Sequence, residues 1–271
     1  MRTSFFKSLA LAGALLAGLA AQAQATTVTW NFESGSGQQI STFNQNGNDE
    51  YGNPVYETRT FRNGGHDVTA MGYYSNVNSS GSIGSFVNPT NDGLSGGGLG
   101  RYSGGLGLTN QNGDAHTVDN SGRQDWIVLQ LDANNWDALS VVLTSFGDAD
   151  TTILTGGTLG QFPSIGGFVG QTLSTLQGLG FTLQQSTTTV ANGELTVHIP
   201  SPNGVGGTLG AYLIIGGHTT VSPDNDSFKL KKLTASLVTP NNAVPEPTTL
   251  ALAGLGAAGL ALGRKGRRQG A

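Results

Sequence analysis

The chain has 271 residues, 43 glycines, no cysteines and a formal net charge of −4. Its length suits one domain, with two as the alternative, and the lack of cysteine excludes a disulfide framework, so stability must come from a hydrophobic core or a metal. Residues 26–243 contain seven Lys and Arg against 16 Asp and Glu, a formal charge of −9. This charge argues against nucleic acid or an anionic membrane surface as a partner, because both need basic patches, and it is compatible with divalent cations and neutral glycans.

The first 25 residues have the pattern of a secretory signal peptide. Arg2 and Lys7 precede an apolar run at residues 9–20, and the A-x-A pattern that follows allows cleavage after Ala23 or after Ala25. An uncleaved anchor helix is the alternative. We therefore expect an exported protein whose ectodomain begins at residue 26.

The ectodomain is predicted to be all-β. Between residues 26 and 240, short β-branched and aromatic runs are separated by Gly, Asn, Asp and Pro, and no helix is predicted. About ten strands are expected, together with long loops at residues 33–54 and 75–123, the second of which holds two more short strand candidates, 82–87 and 105–108. The strands are predicted at residues 28–32, 55–61, 67–74, 126–131, 139–146, 151–154, 178–183, 194–199, 211–215 and 227–238.

Two patterns place particular strands within this fold. The runs at 126–129 and 212–215 are apolar on both faces, which predicts central strands. In the last strand the apolar positions change phase near Lys231 and Lys232, which predicts a β-bulge. Residues 26–238 are thus expected to form an antiparallel β-sandwich of jelly-roll type, followed by a short polar linker at 239–243.

The C-terminal segment has three parts in a fixed order: the motif Val244-Pro245-Glu246-Pro247, an apolar stretch at 250–263, and the basic residues Arg264, Lys265, Arg267 and Arg268. As a helix, the apolar stretch would be roughly 21 Å long, against a hydrocarbon core of about 30 Å. Residues 247–249 lengthen this helix, and the basic side chains can extend to the membrane surface. The segment therefore predicts one short transmembrane helix whose basic end lies in the cytoplasm. A solvated tail is the alternative.

This arrangement resembles the PEP-CTERM sorting signal of Gram-negative bacteria over residues 244–268. The resemblance implies that exosortase, a membrane-embedded transpeptidase-like enzyme, recognises Pro245, Glu246 and Pro247. It further implies a precursor anchored in the inner membrane with its ectodomain outside, then delivery to the cell surface or extracellular matrix. Proteins of this kind are associated with exopolysaccharide and with biofilm or floc formation.

Residues 100–238 carry a second resemblance. Its motifs are Gly-Leu-Gly-Leu at 105–108, His-Thr-Val-Asp-Asn at 116–120, Asp-Trp-Ile-Val-Leu at 125–129, Gly-Asp-Ala-Asp at 147–150 and Asn-Asp-Ser-Phe-Lys-Leu at 225–230. They are similar to motifs of an exosortase-dependent surface protein family without assigned activity, which supplies no catalytic residues.

A structural calcium ion is a candidate cofactor. The first and last strands of a jelly roll are often neighbours, so Glu33, after the first, and Asp226, before the last, are candidate ligands. Calcium takes about six to eight oxygen ligands, from carboxylates, amides and carbonyls. The alternative is that these Asp and Asn residues only form turns.

Four residues are candidates for binding a ligand. Tyr102 and Trp136 are predicted to present exposed rings for stacking on a sugar, and His116 lies close to Asp119 in a polar stretch. The alternative for His116 is a role in a turn or at a strand edge. Together with the sorting signal, these residues predict a non-catalytic surface protein, with extracellular polysaccharide as a candidate partner.

Two other functions remain open. A secreted polysaccharide lyase or hydrolase would need paired carboxylates about 5–10 Å apart, for which Asp119 with Asp125 or Asp148 are the candidates. A structural, self-assembling matrix protein is favoured by the Gly, Asn and Thr content and by open strand edges.

Overall fold

Short extended segments and tight turns make up the ectodomain in the computed structural model. The structure describes residues 26–49, 51–77, 83–89, 98–109, 116–120, 123–187, 192–200, 210–219 and 226–237. The predicted signal peptide and the predicted C-terminal helix lie outside these residues. The strands are β1 (Thr26–Asn31), β2 (Gln39–Asn48), β3 (Pro54–Asn63), β4 (His66–Val77), β5 (Ile83–Val87), β6 (Gly98–Tyr102), β7 (Gly105–Thr109), β8 (Val118–Asp119), β9 (Arg123–Leu131), β10 (Trp136–Ser145), β11 (Thr151–Gly156), β12 (Thr182–Ser186), β13 (Gly193–His198), β14 (Tyr212–Gly217) and β15 (Ser227–Leu237).

These strands form one continuous sheet with the order β12-β11-β14-β9-β4-β3-β6-β7-β15-β10-β13. β1 and β8 pair with β15, β2 pairs with β3, and β5 pairs with β4. Every pairing between the named strands is antiparallel, which confirms the predicted fold class. As expected for a jelly-roll-like sandwich, the first strand lies beside the last.

The main core lies between two halves of this sheet. Apolar side chains from β4, β9, β11 and β14 on one side meet those of β1, β10, β13 and β15 on the other. Trp30, Phe228 and Leu233 are fully buried there. Because each half buries one face against the other, the arrangement is a sandwich, and hydrophobic burial is its main source of stability.

A second core covers the opposite face of β9 and β14. Along β9, Ile127 and Leu129 enter the main core, whereas Trp126 and Val128 enter the second. The second core is closed by the segment after β11, which contains a 3₁₀ helix at Ile165–Phe168 and helix α1 at Leu173–Gly178. Burial on both faces explains why these strands are apolar throughout, as the sequence predicted.

The predicted β-bulge in β15 is confirmed. Along β10, Val142 pairs with Lys232 and the next residue, Leu143, pairs with Leu230, so Lys231 has no partner in this ladder. The extra residue restores the inward direction of the side chains, so that Leu230 and Leu233 both reach the main core.

Four local predictions were wrong. No helix was expected, but α1 forms, and the expected loop at residues 75–123 also holds β6 and β8. Residues 33–54 are not one loop, because β2 forms a ten-residue strand along β3 within it. The segment predicted as a strand from residue 178 begins inside α1, and β12 starts only at Thr182. Thr172 caps α1 by accepting a hydrogen bond from the Thr175 amide while the Thr175 hydroxyl accepts one from the Thr172 amide.

No helix in the described part of the chain has the length and apolar character needed to cross a bilayer.

Candidate functional site

Tyr102 and His116 stack face to face where β6 ends and the chain approaches β8. Their ring centroids lie 5.2 Å apart with an interplanar angle of 13°. The structure therefore brings together two of the four ligand-binding candidates. His116 is 5% exposed and Tyr102 is half-buried, so the stack has one buried and one accessible ring.

A buried carboxylate lies beneath this stack. Asp49 Oδ2 accepts a hydrogen bond from the Tyr102 hydroxyl at 3.2 Å and lies 3.7 Å from His116 Nε2. Its Oδ1 accepts from the amides of Tyr51 and Asn53, at 2.9 and 2.7 Å, and the Asn53 side chain donates to Oδ2 at 3.0 Å. Burial acts to raise the pKa of Asp49, but these hydrogen bonds and His116 together hold it below its ordinary value.

Two exposed rings and a lysine extend the stack outward. Tyr51 meets His116 edge to face, with centroids 5.1 Å apart, and is 73% exposed. Lys229 Nζ lies 4.5 Å from the Tyr102 ring centroid and 4.9 Å from that of Phe146, which is 47% exposed. Burial lowers the pKa of Lys229, and Asp49 opposes this effect. We call Asp49, Tyr51, Tyr102, His116, Phe146 and Lys229 the Tyr102 cluster.

Close backbone approaches position the cluster. His116 adopts a left-handed conformation with φ of 54°, which folds its carbonyl back toward β7. A Cβ at Gly107 would lie 1.8 Å from that carbonyl oxygen, so only glycine fits there. In the same way a Cβ at Gly100 would lie 1.9 Å from the Tyr102 hydroxyl oxygen, so the bare backbone of β6 leaves room for the folded tyrosine.

The other two candidates, Trp136 and Asp119, are buried. Trp136 was predicted to be exposed but is fully buried in the main core, because it begins β10 and packs edge to face on Trp30 at 5.2 Å. Its indole N–H donates to Asp132 Oδ1 at 2.9 Å. Asp119 is 7% exposed and pairs with Ser227 in the ladder between β8 and β15. Neither side chain offers a surface for a glycan.

The pair predicted to bind calcium is separated. Glu33 Oε1 lies 3.0 Å from Lys231 Nζ, midway along β15, whereas Asp226 precedes the first residue of that strand. Five residues of strand extend roughly 16 Å, too far for both carboxylates to reach one ion. Asp226 instead lies with Asp148 and Asp150, and this set replaces the predicted pair as the candidate metal group.

Most of the Tyr102 cluster could not be identified from the sequence. Asp49 and Tyr51 lie in a polar turn between β2 and β3, more than 50 residues before Tyr102 and His116 in the chain. Only the sandwich brings that turn next to β6, β8 and β15. The one local signal is the Asp49-to-Asn53 spacing, which is typical of a side-chain-capped turn.

Comparison with protein-family models supports the sorting signal. No curated protein matches this chain. Residues 243–268 match the family model described as the PEP-CTERM protein-sorting motif. This span contains Val244, Pro245, Glu246 and Pro247, the apolar stretch and the basic residues. The chain thus carries a PEP-CTERM sorting signal, which implies a secreted surface protein processed by exosortase.

Proposed function

We propose that this chain is a non-catalytic surface protein that binds neutral polysaccharide of the extracellular matrix through the Tyr102 cluster, and that it contributes there to biofilm or floc formation. The observation that carries the proposal is a pair of exposed rings next to the Tyr102–His116 stack: Tyr51 contacts His116, and Phe146 shares Lys229 with Tyr102. Exposed aromatic faces suit the C–H groups of a sugar ring, and polar groups beside them fix its orientation.

The charges around the rings favour a neutral glycan. Lys229 provides a donor between Tyr102 and Phe146, and Asn53, an exposed residue, follows Tyr51 by two positions in the chain. The ectodomain as a whole has a formal charge of −9, so a uronic acid polymer would be repelled at long range. A neutral polymer meets no such barrier, and the local groups still supply hydrogen bonds.

Binding is tested with the ectodomain, residues 26–243, which contains both hydrophobic cores in full. Affinity electrophoresis through gels containing a neutral β-glucan or alginate should show retardation by the neutral polymer only. Tyr51→Ala and Phe146→Ala should each weaken binding about tenfold. Phe43→Ala is the matched control, because Phe43 is 65% exposed on β2 outside the cluster. Equal retardation of all four proteins would contradict the proposal.

The sorting route is a separate part of the proposal. The signal peptide delivers the chain across the inner membrane, the C-terminal helix holds it there, and exosortase removes the tail after recognising Pro245, Glu246 and Pro247. Mass spectrometry of the protein from an exosortase-containing bacterium should give a mature form without residues 264–268. The Glu246→Ala variant should keep residues 264–268. The Asn241→Ala variant, which changes the linker, should lose them as the wild type does. A mature wild-type protein that keeps its basic tail would rule out this processing.

The enzyme alternative has weak support at its candidate residues. Asp119 and Asp125 are 7% and 3% exposed, so neither carboxyl group is open to a polymer chain. Incubating the ectodomain with the same polysaccharides should release neither reducing ends nor unsaturated uronate. Release of either product would replace the non-catalytic proposal with a hydrolase or a lyase.

Self-assembly is the second candidate function, and β2 is the observation that favours it. Among the described strands β2 pairs only with β3, and its Ile40 and Phe43 are 48% and 65% exposed. A long edge strand with exposed apolar side chains can pair with another copy. Analytical ultracentrifugation of the ectodomain should show oligomers that Phe43→Lys disperses; a monomer at all concentrations would exclude this function.

A further inference from the structure

The Asp226 carboxylate bridges the ends of two neighbouring strands. β11 and β14 separate after the pair formed by Thr151 and Gly217. Beyond that pair, Asp226 Oδ1 accepts from the Asp150 amide at 3.1 Å, and Oδ2 accepts from the His218 amide at 2.8 Å. Asp226 directly precedes β15, so its side chain joins the two halves of the sandwich at this end.

The described residues leave one acceptor position of this carboxylate without a donor. Asn120 Nδ2 also donates to Oδ2, at 2.6 Å. A carboxylate can accept about four hydrogen bonds, two on each oxygen. Among the described residues, Oδ2 therefore has its two donors and Oδ1 has one, so Oδ1 retains a lone pair for a further ligand.

Two more carboxylates face the same point. Oxygens of Asp148, Asp150 and Asp226 all lie within 4.8 Å of one another. Calcium binds oxygen at about 2.3–2.6 Å, so two ligands on opposite sides of one ion are about 5 Å apart. A single ion can therefore contact all three carboxylates. Asp150 and Asp226 are 8% and 3% exposed, and buried like charges at this spacing repel one another unless a cation lies between them.

An independent observation is the hydroxyl of Thr151. This residue is fully buried, and its Oγ1 has no hydrogen-bond partner among the described residues. Thr151 lies directly opposite Gly217, and side chains of directly paired residues point to the same face of a sheet. A Cβ at Gly217 would lie 3.3 Å from the Asp226 Cβ, so that face is the one against which Asp226 packs. The Thr151 hydroxyl thus lies on the sheet face that packs against Asp226, where it is a candidate fourth oxygen ligand for an ion held by the carboxylates.

We propose that Asp148, Asp150, Asp226 and Thr151 Oγ1 bind one divalent cation of the calcium class. All four donors are oxygens, which suits a hard cation, and the chain has no cysteine for a thiolate site. The ion would fasten β11 and β14 to β15, at a position distinct from the Glu33–Asp226 pair expected from the sequence.

Isothermal titration calorimetry with CaCl₂, on ectodomain first stripped with a chelator, tests the proposal. Binding near the affinity of extracellular calcium modules, about 0.1–1 mM, is expected, together with a rise in melting temperature on adding the metal. Asp148→Asn should weaken binding at least about tenfold. This variant keeps the oxygen that accepts from the Ala149 amide, so the metal-free fold should survive.

Two more variants make the result specific. Thr151→Val removes only the hydroxyl and should also weaken calcium binding, while leaving the metal-free melting temperature equal or higher. Glu33→Gln is the matched control and should bind calcium as the wild type does. The proposal is overturned if the wild type shows neither binding heat nor a calcium-dependent shift, or if Glu33→Gln loses as much affinity as Asp148→Asn.

Discussion

Tyr102 donates a hydrogen bond to Asp49 while its ring lies flat on His116, so one side chain connects a buried charge to the protein surface. Asp49 comes from the turn after β2, and Tyr102 ends β6. The contact therefore fixes the β2–β3 turn against the body of the sandwich. The same contact explains why the Asp49 side chain has no accessible surface although Asp49 lies in a turn.

Tyr102→Phe removes this hydrogen bond but keeps the stacked ring. We expect the free energy of unfolding to fall by about 1 kcal/mol, because Asp49 loses one donor to a buried charge. Urea denaturation at neutral pH measures the change. Tyr51→Phe is the control, since the Tyr51 ring is 73% exposed; an equal loss in both variants would show that the Tyr102 hydroxyl has no special role.

Gly107→Ala tests the close approach of the His116 carbonyl. The new Cβ would lie 1.8 Å from that oxygen, so the chain before β8 must move away from β7. We expect a loss of about 2 kcal/mol or more, of the kind seen when a packed site is overfilled. Gly178→Ala, at the end of α1, meets nothing within 4 Å and should be neutral or slightly stabilising. Equal melting temperatures for the two variants would contradict this reading of Gly107.

Trp136 should act on stability and not on ligand binding. Trp136→Ala removes a fully buried ring that packs on Trp30, so a loss of about 3–5 kcal/mol is expected. Phe146→Ala, at a 47% exposed position, should cost less than about 1 kcal/mol yet weaken glycan retardation. Chemical denaturation and affinity electrophoresis on the same preparations separate the two effects. Normal stability with lost binding in Trp136→Ala would restore its predicted role as a ligand contact.

Trp136 and β2 show where the sequence is insufficient. Periodicity predicts buried strands well: the runs around Val128 and Ile214 are apolar on both faces because both faces are covered. It cannot predict β2, because nearly every β2 side chain is exposed and no burial pattern results. Trp136 stands among polar residues, and only the start of β10 at this position turns its ring into the core.

The sequence predicted what kinds of site to expect, but not which residues form them. Acidic residues before the last strand indicated a cation site, yet the partners of Asp226 follow from the position of β11 beside β14 rather than from β1 beside β15. Antiparallel pairing sends Glu33 toward the middle of β15, where Lys231 lies at the bulge. A correct neighbour relationship therefore still gave the wrong ligand, because the register was unknown.

Asp226 also predicts how stability depends on pH in the metal-free protein. Burial, together with the charges of Asp150 and Asp148, raises the pKa of Asp226 from 3.8 to about 7, against the opposing hydrogen bonds from the backbone amides of His218 and Asp150. The folded state then holds this proton more tightly than the unfolded chain does. The stability that protonated Asp226 contributes is fully present below the pKa that Asp226 has in the unfolded chain. It is lost as the pH rises through about 7, the pKa of Asp226 in the folded protein.

Metal-free ectodomain should therefore lose stability between about pH 4 and pH 7, by an amount on the order of 4 kcal/mol from this group. Asp148→Asn removes one of the repelling charges, so its slope over the same range should be shallower. Urea denaturation in chelator at several pH values measures both slopes, and added calcium should flatten or reverse the wild-type slope because it favours the ionised carboxylates. Identical slopes in the wild type and Asp148→Asn would show that the two carboxylates do not interact, since only their mutual repulsion links position 148 to the Asp226 proton.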